Sequence, residues 1–241
     1  MRFVLFPCAA LCVAATQISY SNVRTAPFHP SIHNMGNVGL SGRLHAALAS
    51  GATRIIDSVA YGGRNMRRDL AEELGCRFTP ATTRVVEVGC GVGTLTRELI
   101  KQGFSKLTAV DTSAAMITRA MHENPDGAAW RVLNGVDVPV VFDPQDLAIV
   151  SMVMHELPVS AHYELMGALV DATAPGGEVW VVDISPSYQP SSMMLSGEPY
   201  VLEYLRTFQG TMREIASAPG LQLSEKELID GHVVAYVLTR S

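Results

Sequence analysis

From Arg84 to the end of the chain, short apolar runs alternate with stretches whose apolar residues recur every three or four positions. Val85–Val88, Leu107–Val110, Ala129–Leu133, Leu147–Met154, Val179–Ile184 and His232–Thr239 predict strands. Most are apolar nearly throughout, as strands buried on both faces are. Between them, Thr94–Gln102, Ser113–His122, Ser160–Ala174 and Tyr200–Ala216 predict helices, with stops at Gly103 and at the Pro175–Gly177 turn. Upstream, Leu40–Leu74 reads as helical, is interrupted at Tyr61–Gly63, and resumes to a stop at Gly75. Strand–helix alternation of this kind predicts an α/β fold, a parallel sheet with helices on both faces. In such sheets a ligand lies beyond the carboxyl ends of the strands, where the strand order reverses.

The start of the chain has another character. Its first 56 residues hold four arginines and no Asp or Glu. Arg2 precedes the 13-residue apolar run Phe3–Ala15, too short for a membrane span of roughly 20 residues. With small residues at Val13–Ala15, residues 1–15 read as a signal peptide cleaved before Thr16. Residues 16–39 are rich in Ser, Thr and Asn without acids, like a transit peptide. Together they resemble the two-part plastid presequences of algae, with secretion or a single mitochondrial or plastid presequence as alternatives. Residues 40–83 then form a helical extension and 84–241 the ligand-binding domain.

Removing the four early arginines leaves 14 basic residues against 23 acidic ones, a balance of −9 over Asp57–Ser241. That argues against a nucleic-acid partner, which calls for a basic face. Beyond the presequence only Cys76 and Cys90 remain, and no Cys/His spacing resembles a zinc site, so neither a disulfide framework nor a metal is expected.

The most informative stretch is Val85–Ile100, "VVEVGCGVGTLTRELI". Gly89, Gly91 and Gly93 fall on the first strand-to-helix turn, where a missing side chain lets a ligand lie against the backbone. A dinucleotide turn has the spacing G-x-G-x-x-G and rests a pyrophosphate there. Here the third glycine comes one position early, and Glu87 stands just upstream. A carboxylate repels a pyrophosphate and attracts an ammonium and a sulfonium. Asp111, 24 positions on, ends the next strand within reach of a ribose. The competing reading makes Glu87 a surface acid and Asp111 the cap of the following helix.

These residues resemble the core of the class I S-adenosylmethionine-dependent methyltransferases over about Arg84–Asp183. "VVEVGCGVG" is similar to their first motif, "LTAVDTS" to the second, "VLNGVDVP" to the third, and "DLAIVSMVMHELP" to the fourth. "MHELP" and "MLSGEPYVLEY" look like a UbiE-like, methyltransferase-11-type small-molecule branch. The resemblance implies a Rossmann-like, mostly parallel seven-stranded sheet and S-adenosyl-L-methionine as cofactor. It implies cofactor contacts from Glu87, Gly89, Cys90, Gly91, Gly93, Asp111, Thr112, Met116, Asn134, Gly135 and Ser151. Asn134 stands where the family usually has an acid, with Asp137 as a rival.

Methyl transfer needs the nucleophile, methyl carbon and sulfur in line, and a base only where the nucleophile must lose a proton. His155 and Glu156, near the end of the fourth strand, are the candidate catalytic residues. Tyr61 and Arg64 of "AYGGRN", and Glu198, Tyr200 and Tyr204 of "SGEPYVLEY", are the candidate acceptor-binding residues. Each has a plain alternative in turn, cap or core packing. The eleven methionines suit an adaptable apolar pocket as well as a core. The expected activity is methyl transfer to a small-molecule acceptor, a lipophilic one among the candidates. A cofactor-binding protein without catalysis is the alternative, and an NAD(P)-dependent oxidoreductase a more distant one.

Overall fold

The computed structural model describes residues 61–124 and 126–241, with 43, 44, 46–48 and 51 ahead of them. The expected signal segment 1–15, transit segment 16–39 and most of the helical stretch 40–60 lie outside the described residues. Seven strands form one sheet: β1 Arg84–Val88, β2 Lys106–Asp111, β3 Ala129–Val132, β4 Gln145–Ser151, β5 Thr173–Ile184, β6 Leu221–Ile229 and β7 Val233–Arg240. Their spatial order is β3-β2-β1-β4-β5-β7-β6. All neighbours run parallel except β7, which is antiparallel to β5 and to β6. The order reverses between β1 and β4, so the crevice of the fold opens over their carboxyl ends.

Helices α1 Met66–Arg77, α2 Thr94–Lys101, α3 Ala114–Glu123, α4 Val138–Val141, α5 Val159–Ala172, α6 Ser192–Gly197 and α7 Val201–Ala216 cover the sheet. Alternation along the strands decides which face meets which helix. Val85, Leu147, Ile149, Trp180 and Val182 pack with Leu70 and Leu74 of α1 and Leu95 and Leu99 of α2. Val86, Val88, Ala148, Val150, Val179 and Val181 pack with Leu165 and Leu169 of α5 and Tyr204, Phe208 and Met212 of α7. Each fully buried Leu or Val stabilises the fold by about 1.5–3 kcal/mol before entropy is counted. Among the described residues, no helix is long and apolar enough to cross a membrane.

Several boundaries differ from the sequence pattern. Gly75 does not stop α1, which runs on to Arg77, where the guanidinium pairs with the buried Glu178 of β5. A Cβ at Gly75 would lie 3.3 Å from the Gln102 side chain, so this glycine allows close packing on the end of α2. Nor does Pro175–Gly177 end a helix: α5 finishes at Ala172, and β5 begins at Thr173 and runs through these residues. The edge strand β6 and the short α6 have no counterpart among the expected elements. Leu221–Ile229 carries Glu225, Lys226 and Glu227 on a largely exposed strand, which hides its period but suits an edge.

Candidate functional site

β1 ends at Val88, and the chain turns through three glycines, all at positive φ: Gly89 (72°), Gly91 (54°) and Gly93 (76°). They are bare for different reasons. A Cβ on Gly89 would come within 2.4 Å of Val153 Cγ2, and one on Gly93 within 2.7 Å of the Trp130 ring. Both therefore permit packing of the protein on itself. Among the described residues, a Cβ on Gly91 would meet nothing within 4 Å. Of the three, it alone leaves open space among those residues, and the ligand reading of the glycine pattern rests on it.

Asp111, at the end of β2, holds this turn: Oδ2 accepts from Gly91 N (2.9 Å) and Oδ1 from Ser113 N (2.8 Å). It does not cap α3; that role falls to Ser113, whose Oγ accepts from Met116 N. Glu87 is no surface acid either. It is 2% exposed and accepts from Thr96 Oγ1 at 2.6 Å. Burial, only partly offset by the Thr96 hydroxyl and by Arg67, pushes its carboxyl up to about 8. Cys90 is buried behind the turn, its thiol pushed well up by burial and by the Asp111 and Glu87 charges. Met116 is buried against Val92 of the turn. Thr112 and Ser151, at the tips of β2 and β4, are half-buried.

Past β3, Asn134 caps the short 3-10 turn Gly135–Asp137, its Oδ1 accepting from Val136 N. Its Nδ2 is buried with no partner among the described residues. Gly135 is a packing glycine, since a Cβ would strike Val88 and Leu165. Met152, just past the end of β4, has φ 57° and is the sole non-glycine residue at positive φ among those described. Such strain is characteristic of functional sites. Its backbone N–H is tied to Val182 O at 2.8 Å.

His155 follows, on a 3-10 turn, Met154–Glu156, and its Nδ1 lies 2.6 Å from Asp183 Oδ1. Asp183, fully buried at the end of β5, also accepts from Met154 N (2.8 Å), His155 N (3.3 Å) and Ile184 N (2.7 Å). Burial alone would lower the basicity of His155. The Asp183 carboxylate overrides it and raises the imidazole to about 9. Sequence reasoning singled out His155 as a candidate and did not single out Asp183. The available signal was an acid inside the apolar run "VWVVDI", since a buried carboxylate needs donors.

The acceptor-side candidates scatter. Tyr204 is a core residue, 2% exposed, stacked on Phe208 with its hydroxyl donating to Ile184 O. Arg64 is held by Asp69 at 2.9 Å on an exposed surface and does not reach into the crevice. Tyr61 is buried with its ring edge-on to His232, at the head of β7. Tyr200 stands at the start of α7. Glu198 ends the α6 segment and acts electrostatically on His155, as does Glu156.

A separate groove of about 680 Å3, lined by Arg84, Gly103, Lys106, Ala129 and Gln145, opens at the opposite edge, where β1–β4 begin. No strand carboxyl end faces it, so the strand-end rule assigns the ligand to the glycine side. No group of His, Cys, Asp and Glu able to hold a metal occurs among the described residues.

These features fit S-adenosylmethionine. Gly91 leaves a cradle that a side chain would fill, Asp111 is bonded to its N–H, Glu87 is buried on the strand leading into the turn, and Asn134 carries an unsatisfied donor beyond β3. The comparisons agree. Residues 85–177 match the sequence model of a family described as "Methyltransferase domain". No curated protein matches the chain. Among solved structures, the methyltransferase domain of bacterial CtHen1 is similar at 20% identity and TM-score 0.58, over 73% of this chain and 100% of that one. The plantazolicin methyltransferase BamL, solved with a triazolic desmethylPZN analog and SAH, is similar at 14% identity and TM-score 0.59, over 83% and 96%. N-methyltransferase NodS from Bradyrhizobium japonicum WM9 is similar at 17% identity and TM-score 0.53, over 76% and 98%. At these identities the structures share the fold alone. Residues 85–177 match a methyltransferase-domain family, on a fold shared with solved methyltransferases.

Proposed function

We propose that the chain methylates a small, lipophilic acceptor received over the carboxyl ends of β4 and β5. The observation that carries this reading is the open face of Gly91, with Asp111 bonded to its N–H, beside the crevice between β1 and β4. S-adenosylmethionine supplies a methyl carbon made electrophilic by a sulfonium. The protein contributes position and charge: Asp111 would take ribose hydroxyls while holding the turn, since a carboxylate offers about four acceptor positions. Glu87 would take the ammonium, and Asn134 Nδ2 an adenine nitrogen. On the acceptor side, half-buried Met152, just past β4, and half-buried Met194 of α6, which follows β5, both pack against the core and supply apolar surface. Lining up the two reactants can contribute effective molarities of ~10⁵–10⁸ M. The names of similar structures include an N-methyltransferase, so the fold leaves the methylated atom to the acceptor pocket.

Calorimetry on the purified chain tests the donor: binding of S-adenosylmethionine and its demethylated product, with none of NAD(P), is expected. Labelled methyl transfer into an apolar metabolite extract tests the acceptor. Label confined to the polar fraction would overturn the lipophilic reading, and label in neither fraction would leave a cofactor-binding protein without catalysis. We further propose routing to a plastid, supported by the acid-free residues 1–39. A reporter fused to them that is secreted, or enters mitochondria, would overturn it.

A further inference from the structure

We propose that His155 and Asp183 form the proton-accepting unit of this site, Asp183 as the positioning residue, and that the acceptor presents a phenolic hydroxyl to Nε2 of His155. This rests on the reading above that the acceptor lies over β4 and β5.

The geometry begins with the carboxylate. Asp183 takes three backbone N–H groups and the His155 ring, so it fastens the Met154–Glu156 turn and the imidazole together. A carboxylate bonded at Nδ1 fixes the neutral ring with its proton on Nδ1 and its lone pair on Nε2. Nε2 makes no hydrogen bond among the described residues, and it is absent from the sealed, unsatisfied atoms, which include Trp130 Nε1, His162 Nδ1 and Tyr236 OH. Part of the ring's 7% exposure therefore falls on this nitrogen. A buried imidazole held by a buried acid, with its other nitrogen reachable from outside, is the arrangement a general base requires.

The surroundings favour the cation that forms when the proton arrives. Asp183 faces the ring from β5, Glu156 from its own turn, and Glu198 from the segment before α7, and each raises its basicity. Tyr204 of α7 meets it edge-on, 6.3 Å between centroids. His162 of α5 meets Tyr204 edge-on and is bonded to Met154 O, its basicity lowered by burial. A carboxylic acid reaches the site already ionised and needs no base, whereas a hydroxyl acceptor does. Apolar Met152 and Met194 nearby suit an aryl ring.

The step balances. The acceptor's O–H bond breaks and its proton passes to Nε2. The oxygen pair forms the new bond to the methyl carbon, and the old carbon–sulfur pair stays on sulfur, which becomes neutral. Asp183 holds the imidazolium until its Nε2 proton leaves to water.

The test uses the full chain, S-adenosylmethionine, and a panel of substituted phenols with benzyl alcohol and benzoate as controls. Methylation of phenols alone is expected, with a rate rising with pH to a plateau near 9. His155→Gln should lower that rate by about 10²–10⁴-fold while S-adenosylmethionine still binds by calorimetry. Asp183→Asn should move the acid limb of the pH profile downward and abolish the high-pH titration of His155 seen by nitrogen NMR. A structural role alone would move neither. Methylation of no phenol, a His155→Gln rate within about twofold of the parent, or an unmoved Asp183→Asn profile would each overturn the assignment. Should Asp183→Asn fail to fold, the wild-type profile and His155→Gln decide. Loss of the pair's role with cofactor binding and extract methylation intact leaves the proposed function standing; absence of cofactor binding removes both.

Discussion

The Gly91 backbone N–H donates to Oδ2 of Asp111 across 2.9 Å, tying the first glycine turn to the tip of the neighbouring strand. The acid that would grip the cofactor also shapes the surface on which it lies. Asp111→Ala is therefore expected to weaken S-adenosylmethionine binding by ~1–3 kcal/mol, the scale of a lost charge-assisted hydrogen bond. Calorimetry checks it, and undiminished affinity would remove Asp111 from the site.

The three glycines separate by experiment. Gly91→Val adds a side chain where nothing lies within 4 Å, so its cost to folding is the left-handed backbone alone, roughly 1–2 kcal/mol. The expected product is a folded chain that does not bind cofactor. Gly93→Ala drives a methyl into Trp130 and should lose about 1–3 kcal/mol more from overpacking. Thermal melts beside binding isotherms distinguish the two, and normal binding by Gly91→Val would refute the placement of the ligand.

Glu87 predicts a proton linkage. Its buried carboxyl titrates near 8, so at about pH 7 the free chain holds it mostly protonated. An arriving ammonium favours the ionised form, so binding should release close to one proton below about pH 7 and almost none well above 8. Titrations in two buffers of different ionisation enthalpy measure this directly. Identical heats at neutral pH would refute it, and Glu87→Gln should abolish the release.

His155 predicts a second pH effect, on stability. Its folded value is raised to about 9 from an ordinary 6.5, so the pair's contribution is complete below 6.5 and is lost as pH rises through 9. The shift corresponds to at most about 3 kcal/mol. Urea unfolding of wild type should weaken over that window more than His155→Gln does. Parallel curves would show that the ion pair adds nothing.

Much of this was legible in the sequence, for physical reasons. Strands buried on both faces leave apolar runs that cannot be mistaken for loops, so β1, β2, β4 and the middle of β5 stood out. The early third glycine and Glu87 separated the turn from a dinucleotide site. What failed was what depends on distant partners. The pairing of His155 with Asp183 spans 28 residues and leaves no local period. Tyr204 reads as a pocket tyrosine until its hydroxyl is seen donating to Ile184 O, 20 residues back. Gly75 and Pro175–Gly177 punctuate in sequence but are absorbed by α1 and β5. Exposed β6 takes its form from β7, not from its own alternation.

The close approach of Val153 to Gly89 has a mechanical consequence. The β4 tip and the glycine bend are packed without slack, so a displacement of either one presses directly on the other.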